Sequence, residues 1–220
     1  MYYRQPTGPS NTNQRPFVLE VSGEGEVVVS PNLATINLGV MTEGKDVIPT
    51  QQQNTAEINQ VINSLLSSGI LRNQIRTFDY RIDSEYDFEQ GKQIFRGYKV
   101  THLLEVKIED LGMIGKVIDT AVSQGANYVA NVHFTVKNKE KVYQQALSAA
   151  IINAGQKAQT AASTLKVQLN PIPFHIIEKT VGFRPLENQG FTYVKGVTST
   201  QLEPGELTIK AAVTAKFGYY

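Results

Sequence analysis

The chain has 220 residues, 41% of them hydrophobic, with a formal net charge of +1 and no cysteine. That length permits one large domain, or two small ones, with ample material for a core. The missing cysteine excludes disulfides, thiolate zinc sites, iron–sulfur clusters and a cysteine nucleophile, and the near-zero charge supplies no global field to recruit nucleic acid or an anionic membrane.

The first sixteen residues, MYYRQPTGPSNTNQRP, hold no apolar run of the secretory type. Their Pro, Gly, Asn and Gln content predicts a disordered polar tail over 1–16. No stretch of about 18 apolar residues follows anywhere, so no membrane-spanning helix is expected. On these grounds the expected location is cytoplasmic.

From Phe17 to Val29 apolar residues alternate with polar ones, which predicts a half-buried strand. Its Gly23-Glu24-Gly25 could be mistaken for a phosphate-cradling turn. Such a turn needs a helix N-terminus after it, and its two flanking glutamates would repel a phosphate. A second alternating strand, Ala34 to Val40, follows Ser30-Pro31-Asn32-Leu33. A type I turn there predicts a hairpin with Val29 facing Ala34, Gly25 facing Leu38 and Gly23 facing Val40. The glycines then make room for a closely packed helix or permit a bend.

Asp46–Ser68 reads as a helix with Asp46 at the N-cap, Pro49 in the first turn and Gly69 as the stop. Ile58, Val61, Ile62, Leu65 and Leu66 form its apolar stripe. A long hairpin comes next. In its first arm Phe78, Tyr80, Ile82, Tyr86 and Phe88 share one face, and Asp79, Arg81, Asp83, Glu85, Asp87 and Glu89 share the other. In its second arm Ile94, Tyr98, Val100, His102, Leu104, Val106 and Ile108 line up. A loop at Gln90-Gly91-Lys92 sets Asp83 opposite Lys99, with Gly91 in a left-handed position.

Asp110–Gln124 is a second predicted helix, and a strand through Tyr128, Ala130, Val132, Phe134 and Val136 follows it. Lys139–Leu165 is a third helix. Its alanines at 146, 150, 154, 158 and 162 make one smooth ridge for close packing. A short strand spans Pro171–Thr180. An insert at 182–204 carries Phe183, Phe191, Tyr193 and Val194, and the last strand runs from Leu207 to Phe217. The order β-β-α-β-β-α-β-α-β-β, rich in hairpins, predicts an α+β fold of antiparallel sheet and about three helices. It would form a single domain over 17–218, with possible halves 17–109 and 110–218.

These residues resemble the SIMPL-domain family, which includes bacterial periplasmic immunogenic proteins. The resemblance is carried by VSGEGEVVVSPNLATINLGV, GILRNQIRTFDYRIDSEY, RGYKVTHLLEVKIEDLGMIGKVIDTAVSQGAN, the alanine-spaced helix and PGELTIKAAVTAKF. It implies an α+β fold, self-association, a link to stress tolerance and, as in bacterial relatives, the cell envelope as the alternative location. It implies no catalytic motif.

No catalytic, cofactor-binding or metal-ligating residue stands out. His102, His133 and His175 lie on separate predicted strands without metal-ligand spacing. His102 falls on an apolar face and reads as a core histidine. The row Asp79, Asp83, Glu85, Asp87, Glu89 reads as a solvated strand face paired with Lys99 and Lys107. A weak divalent-cation or basic-partner site is the alternative. Alternate carboxylates, roughly 6.5–7 Å apart, are too far apart to chelate one ion unaided. No nucleophile elbow and no basic–aromatic cluster appears. The expected function is that of a non-enzymatic, homo-oligomeric assembly protein without a cofactor, in which the 182–204 insert could bridge subunits. The alternative is a small-molecule or cation binding protein.

Overall fold

A computed structural model of the chain describes residues 17–89, 91–179 and 202–220. The predicted tail 1–16 and all but 202–204 of the insert lie outside the described residues. The described residues form strands β1 (Val18–Val29), β2 (Leu33–Gly44), β3 (Ile75–Glu89), β4 (Lys92–Ile108), β5 (Tyr128–Thr135), β6 (His175–Lys179) and β7 (Leu207–Gly218). The helices are α1 (Val47–Ser67), α2 (Ile114–Ser123) and α3 (Lys139–Leu165). This is an α+β fold in the expected order of elements. It divides into two compact units that interleave in sequence. One gathers β1 up to Val27, α3, β6 and β7, and the other takes the chain from Val28 to Lys139. The crossings do not coincide with a cut at 109/110.

In the first unit the sheet order is β1-β7-β6. Ion pairs Glu26–Lys210 and Glu20–Lys216 fit an antiparallel β1 and β7, and β6 runs antiparallel from His175↔Lys216 to Lys179↔Ala212. The alanine ridge of α3 is fully buried. The glycines explain how it gets so close. A Cβ built on Gly23 would lie 2.1 Å from the Ala150 carbonyl oxygen, and one on Gly25 would lie 2.1 Å from that of Ala146. Helix backbone therefore rests directly on strand backbone, which no other residue type permits. Along the same strand, Asn153 accepts from the Glu24 N–H at 3.2 Å and Lys157 donates to the Ser22 carbonyl at 2.9 Å. Two side chains one turn apart thus occupy backbone groups that β1 would otherwise leave open.

The expected β1–β2 hairpin does not form. β1 pairs with β7, and β2 is an inner strand of the second sheet, between β4 and β5. Residues 30–32 join β1 to β2 without pairing them. The Asn32 N–H donates to the Thr135 carbonyl at 3.0 Å, and its side-chain oxygen accepts from the Lys137 N–H at 2.8 Å. With both its edges filled by β4 and β5, β2 has no ladder left for β1. The two glycines face α3, not Leu38 and Val40.

The second unit is built on the antiparallel sheet β3-β4-β2-β5. Ala34, Ile36, Leu38 and Val40 are fully buried in one core with Ile58, Val61 and Leu65 of α1 and Ile114, Val117 and Ala121 of α2. Each large side chain there contributes about 1.5–3 kcal/mol. Asp46 holds the N-cap position of α1, but its side chain makes no capping bond. Instead its carbonyl accepts from the Thr50 N–H and hydroxyl, at 3.3 and 2.7 Å. At the other end Gly69 has φ +93°, and the N–H groups of Gly69 and Ile70 return to Leu66 and Leu65, a Schellman close. Asp110 caps a 3₁₀ turn, Leu111–Met113, so α2 itself starts four residues later than expected.

Two asparagines add side-chain bonds to the backbone of this sheet. Asn54 is buried on α1, and its amide donates to the carbonyls of Val40 and Val100 at 3.1 and 3.2 Å. Asn127 bonds the N–H and the carbonyl of Met41, both at 2.8 Å. It takes the place of a further β5 residue just past the last pair, Gly39↔Tyr128.

Candidate functional site: the aromatic hairpin

β3 and β4 pair from Ile75↔Val106 out to Glu89↔Lys92, whereas β2 stops at Gly44↔Tyr98. The outer third of the hairpin therefore has no sheet neighbour but itself among the described residues. Asp83 stands opposite Lys99, as the register predicted, and Gly91 in the turn has φ +78°.

Two bulges adjust its faces. Phe78 is the extra residue on β3 between Thr77 and Asp79, which takes it out of the aromatic row. On β4, Arg96 is the extra residue, because Glu85 pairs with Gly97 and Tyr86 with Phe95. That one residue moves Ile94 off the expected apolar face, to a place opposite Asp87, and brings Phe95 in instead. Gly97 makes the kink possible. Its φ is +155°, and a Cβ there would lie 2.5 Å from the Gly44 carbonyl oxygen.

The resulting apolar face carries Tyr80, Ile82, Tyr86 and Phe88 from β3 with Phe95 and Tyr98 from β4. Tyr86, Phe95 and Tyr98 form an edge-to-face chain with centroids 5.6 and 5.2 Å apart. α1 reaches this face at Tyr80, whose hydroxyl accepts from the Gln51 amide at 3.0 Å. The row as a whole meets solvent: Tyr80 and Tyr86 are 45% exposed, Phe95 48% and Phe88 76%.

The opposite face carries the acidic row. Its cations are not Lys99 and Lys107. Arg81 bridges Asp79 and Asp83 at 2.7 and 2.9 Å, and Arg96 pairs with Asp87 at 3.4 Å. Lys99 turns to its β2 neighbour Glu43, at 3.2 Å. An arginine within the row reaches both flanking carboxylates, which a lysine on the next strand does not match.

His102 is half-buried beside Tyr80, with ring centroids 5.1 Å apart, and its Nε2 lies 3.5 Å from the Thr77 hydroxyl. Burial pushes its pKa below the ordinary value. His133 sits exposed on β5 opposite Thr35, and His175 exposed on β6 opposite Lys216. Among the described residues no three His, Asp or Glu side chains gather as a metal site. Within the second unit an open cleft of about 500 Å³ lies between α1 and α2, lined by Gln60, Asn63, Ser64, Lys116, Thr120 and Gln124 among others. Three serines in its wall donate their hydroxyl protons to helix carbonyls, at 2.7–2.9 Å. No helix among the described residues is long and apolar enough to cross a membrane.

A family model described as "SIMPL: Protein of unknown function (DUF541)" matches residues 19–217. The chain is 28% identical over 151 residues to "Uncharacterized protein YggE" of Escherichia coli (strain K12), covering 69% of this chain and 61% of that one. It is 27% identical over 163 residues to the "26 kDa periplasmic immunogenic protein" of Brucella melitensis biotype 1, covering 72% and 65%. The match thus spans just under two thirds of the length of these relatives.

Proposed function

The chain belongs to the SIMPL family, and on that premise we propose that it is a non-enzymatic protein that works by associating with copies of itself. The observation that carries this reading is the outer hairpin, a row of aromatic side chains left in water past the end of β2. Contiguous exposed apolar surface of this kind marks an interaction site. The periplasmic Brucella relative favours the cell envelope over the cytoplasm as the place where this chain works. A part in stress tolerance follows from the family resemblance alone.

Light scattering after size exclusion, at two protein concentrations, tests the reading. The expected result is a mass that is a multiple of 24.3 kDa and rises with concentration. In the double variant Phe88→Ser, Phe95→Ser the mass should fall to that of the monomer with the melting temperature kept. A wild-type chain that stays monomeric would remove the reading. The cleft between α1 and α2 supports the second one, a small-molecule binding protein, for which a ligand screen should then raise the melting temperature.

A further inference from the structure

We propose that two copies pack their hairpins face to face, each covering the aromatic row of the other, with both acidic rows turned outward to water. The inference rests on the self-association reading and adds its geometry. β3 is an edge strand of its sheet, so a second copy has two ways to use the hairpin. It can extend the sheet along the β3 edge, or it can cover the apolar face.

Charge separates the two. From Asp79 to Glu89, past the Phe78 bulge, β3 holds five carboxylates against the single guanidinium of Arg81. A two-fold edge pairing centred on Ser84 sets Asp83 against Glu85 and Asp79 against Glu89, each twice, which outnumbers the Arg81–Asp87 pair it forms twice. Centres on Arg81 or Asp83 set each of these residues against itself. A centre on Ile82 joins Arg81 to Asp83 but opposes Asp79 and Glu85. A centre on Tyr80 runs the ladder through the Phe78 bulge, where regular pairing ends. Directly opposed residues sit about 5 Å apart, and like charges there are destabilising. Edge pairing would also draw Arg81 away from the two carboxylates it already bridges.

Face packing meets none of these costs. Sheets stack about 10 Å apart, and the acidic rows then lie on the two far sides. The area is sufficient for a reversible dimer. At roughly 200 Å² per large side chain, the exposed parts of Tyr80, Ile82, Tyr86, Phe88 and Phe95 come to roughly 500 Å² per copy. Two facing hairpins would cover at most about 1,000 Å², the size range of weak, transient contacts.

The absence of cysteine makes the test clean, because each introduced thiol reports one position. Ile82→Cys and Tyr86→Cys mark the inner face, and Asp83→Cys marks the outer one. Each full-length variant is treated with a short bismaleimide and read on a denaturing gel, alongside light scattering at low and high sodium chloride. Face packing predicts dimer bands for either inner thiol and none for the outer one, with a dimer fraction that changes less than about twofold with salt. A dimer band for Asp83→Cys, or a dimer fraction rising steeply with salt, would mean edge pairing. That overturns this geometry and leaves self-association standing. A monomer under every condition overturns both. A monomer whose hairpin thiols become shielded on phosphatidylcholine vesicles would assign the face to lipid and overturn the second copy as its occupant.

Discussion

The contact of β1 with α3 and the outer end of β3–β4 are both strands with one apolar row, and they solve opposite problems. On β1 the row shrinks to Gly23 and Gly25, and small size lets backbone meet backbone, with Gly23 buried and Gly25 half-buried. On the hairpin the row is large and aromatic, and the same alternation leaves it in solvent. Alternation thus says which residues share a face. Residue size together with the available partner says whether that face is closed.

The sharpest way to break the closed region is Gly25→Val. Its branched side chain would collide with the Ala146 carbonyl on a helix that cannot retreat. We expect a loss of about 3 kcal/mol or more, read as the urea midpoint, or no folded protein at all. Next comes Asn54→Ala, which strips a buried donor from the Val40 and Val100 carbonyls. About 1–3 kcal/mol should be lost, measured the same way, and no loss would mean that the sheet bonds absorb both oxygens. In the open region Phe88→Ser should move stability by less than about 0.5 kcal/mol while lowering the associated fraction, so that melting temperature and solution mass part company.

The smallest effect belongs to His102. Burial favours its neutral ring, so the unfolded chain binds the proton more readily. Stability from this source is complete above the unfolded pKa of about 6.5. It is lost as pH falls through that value towards the lower folded one. A melting curve series in mild acid should show a shallow decline that His102→Gln flattens.

Much of this was legible. The order of elements came from period 2 and period 3.6 with cap and turn residues. Asp83 opposite Lys99 was expected, although the turn is shorter than the expected Gln90-Gly91-Lys92 loop, since Lys92 pairs with Glu89, and the Arg96 bulge restores the register. The α3 ridge was visible as alanines every fourth residue. What could not be read was which strand β1 joins, because pairing over long separations leaves no local trace. The Arg96 bulge had a faint signal, a glycine at 97 inside an otherwise regular strand. Asn54 had one too, since it continues the stripe of Ile58 and Val61 one turn back and so had to be buried. The aromatic rows were found, but their exposure was not, because it depends on where β2 stops.

The pairing of β1 with β7 also sets a schedule. Glu20 and Glu26 meet Lys216 and Lys210, which leave the ribosome roughly 190 residues later, some 10–40 s at ordinary rates of synthesis. β1 is thus made long before the strand it pairs with. For roughly the first two thirds of that wait the stretch holding Gly23 and Gly25 lacks even the helix it was shaped to receive, and for the rest it has the helix without β7.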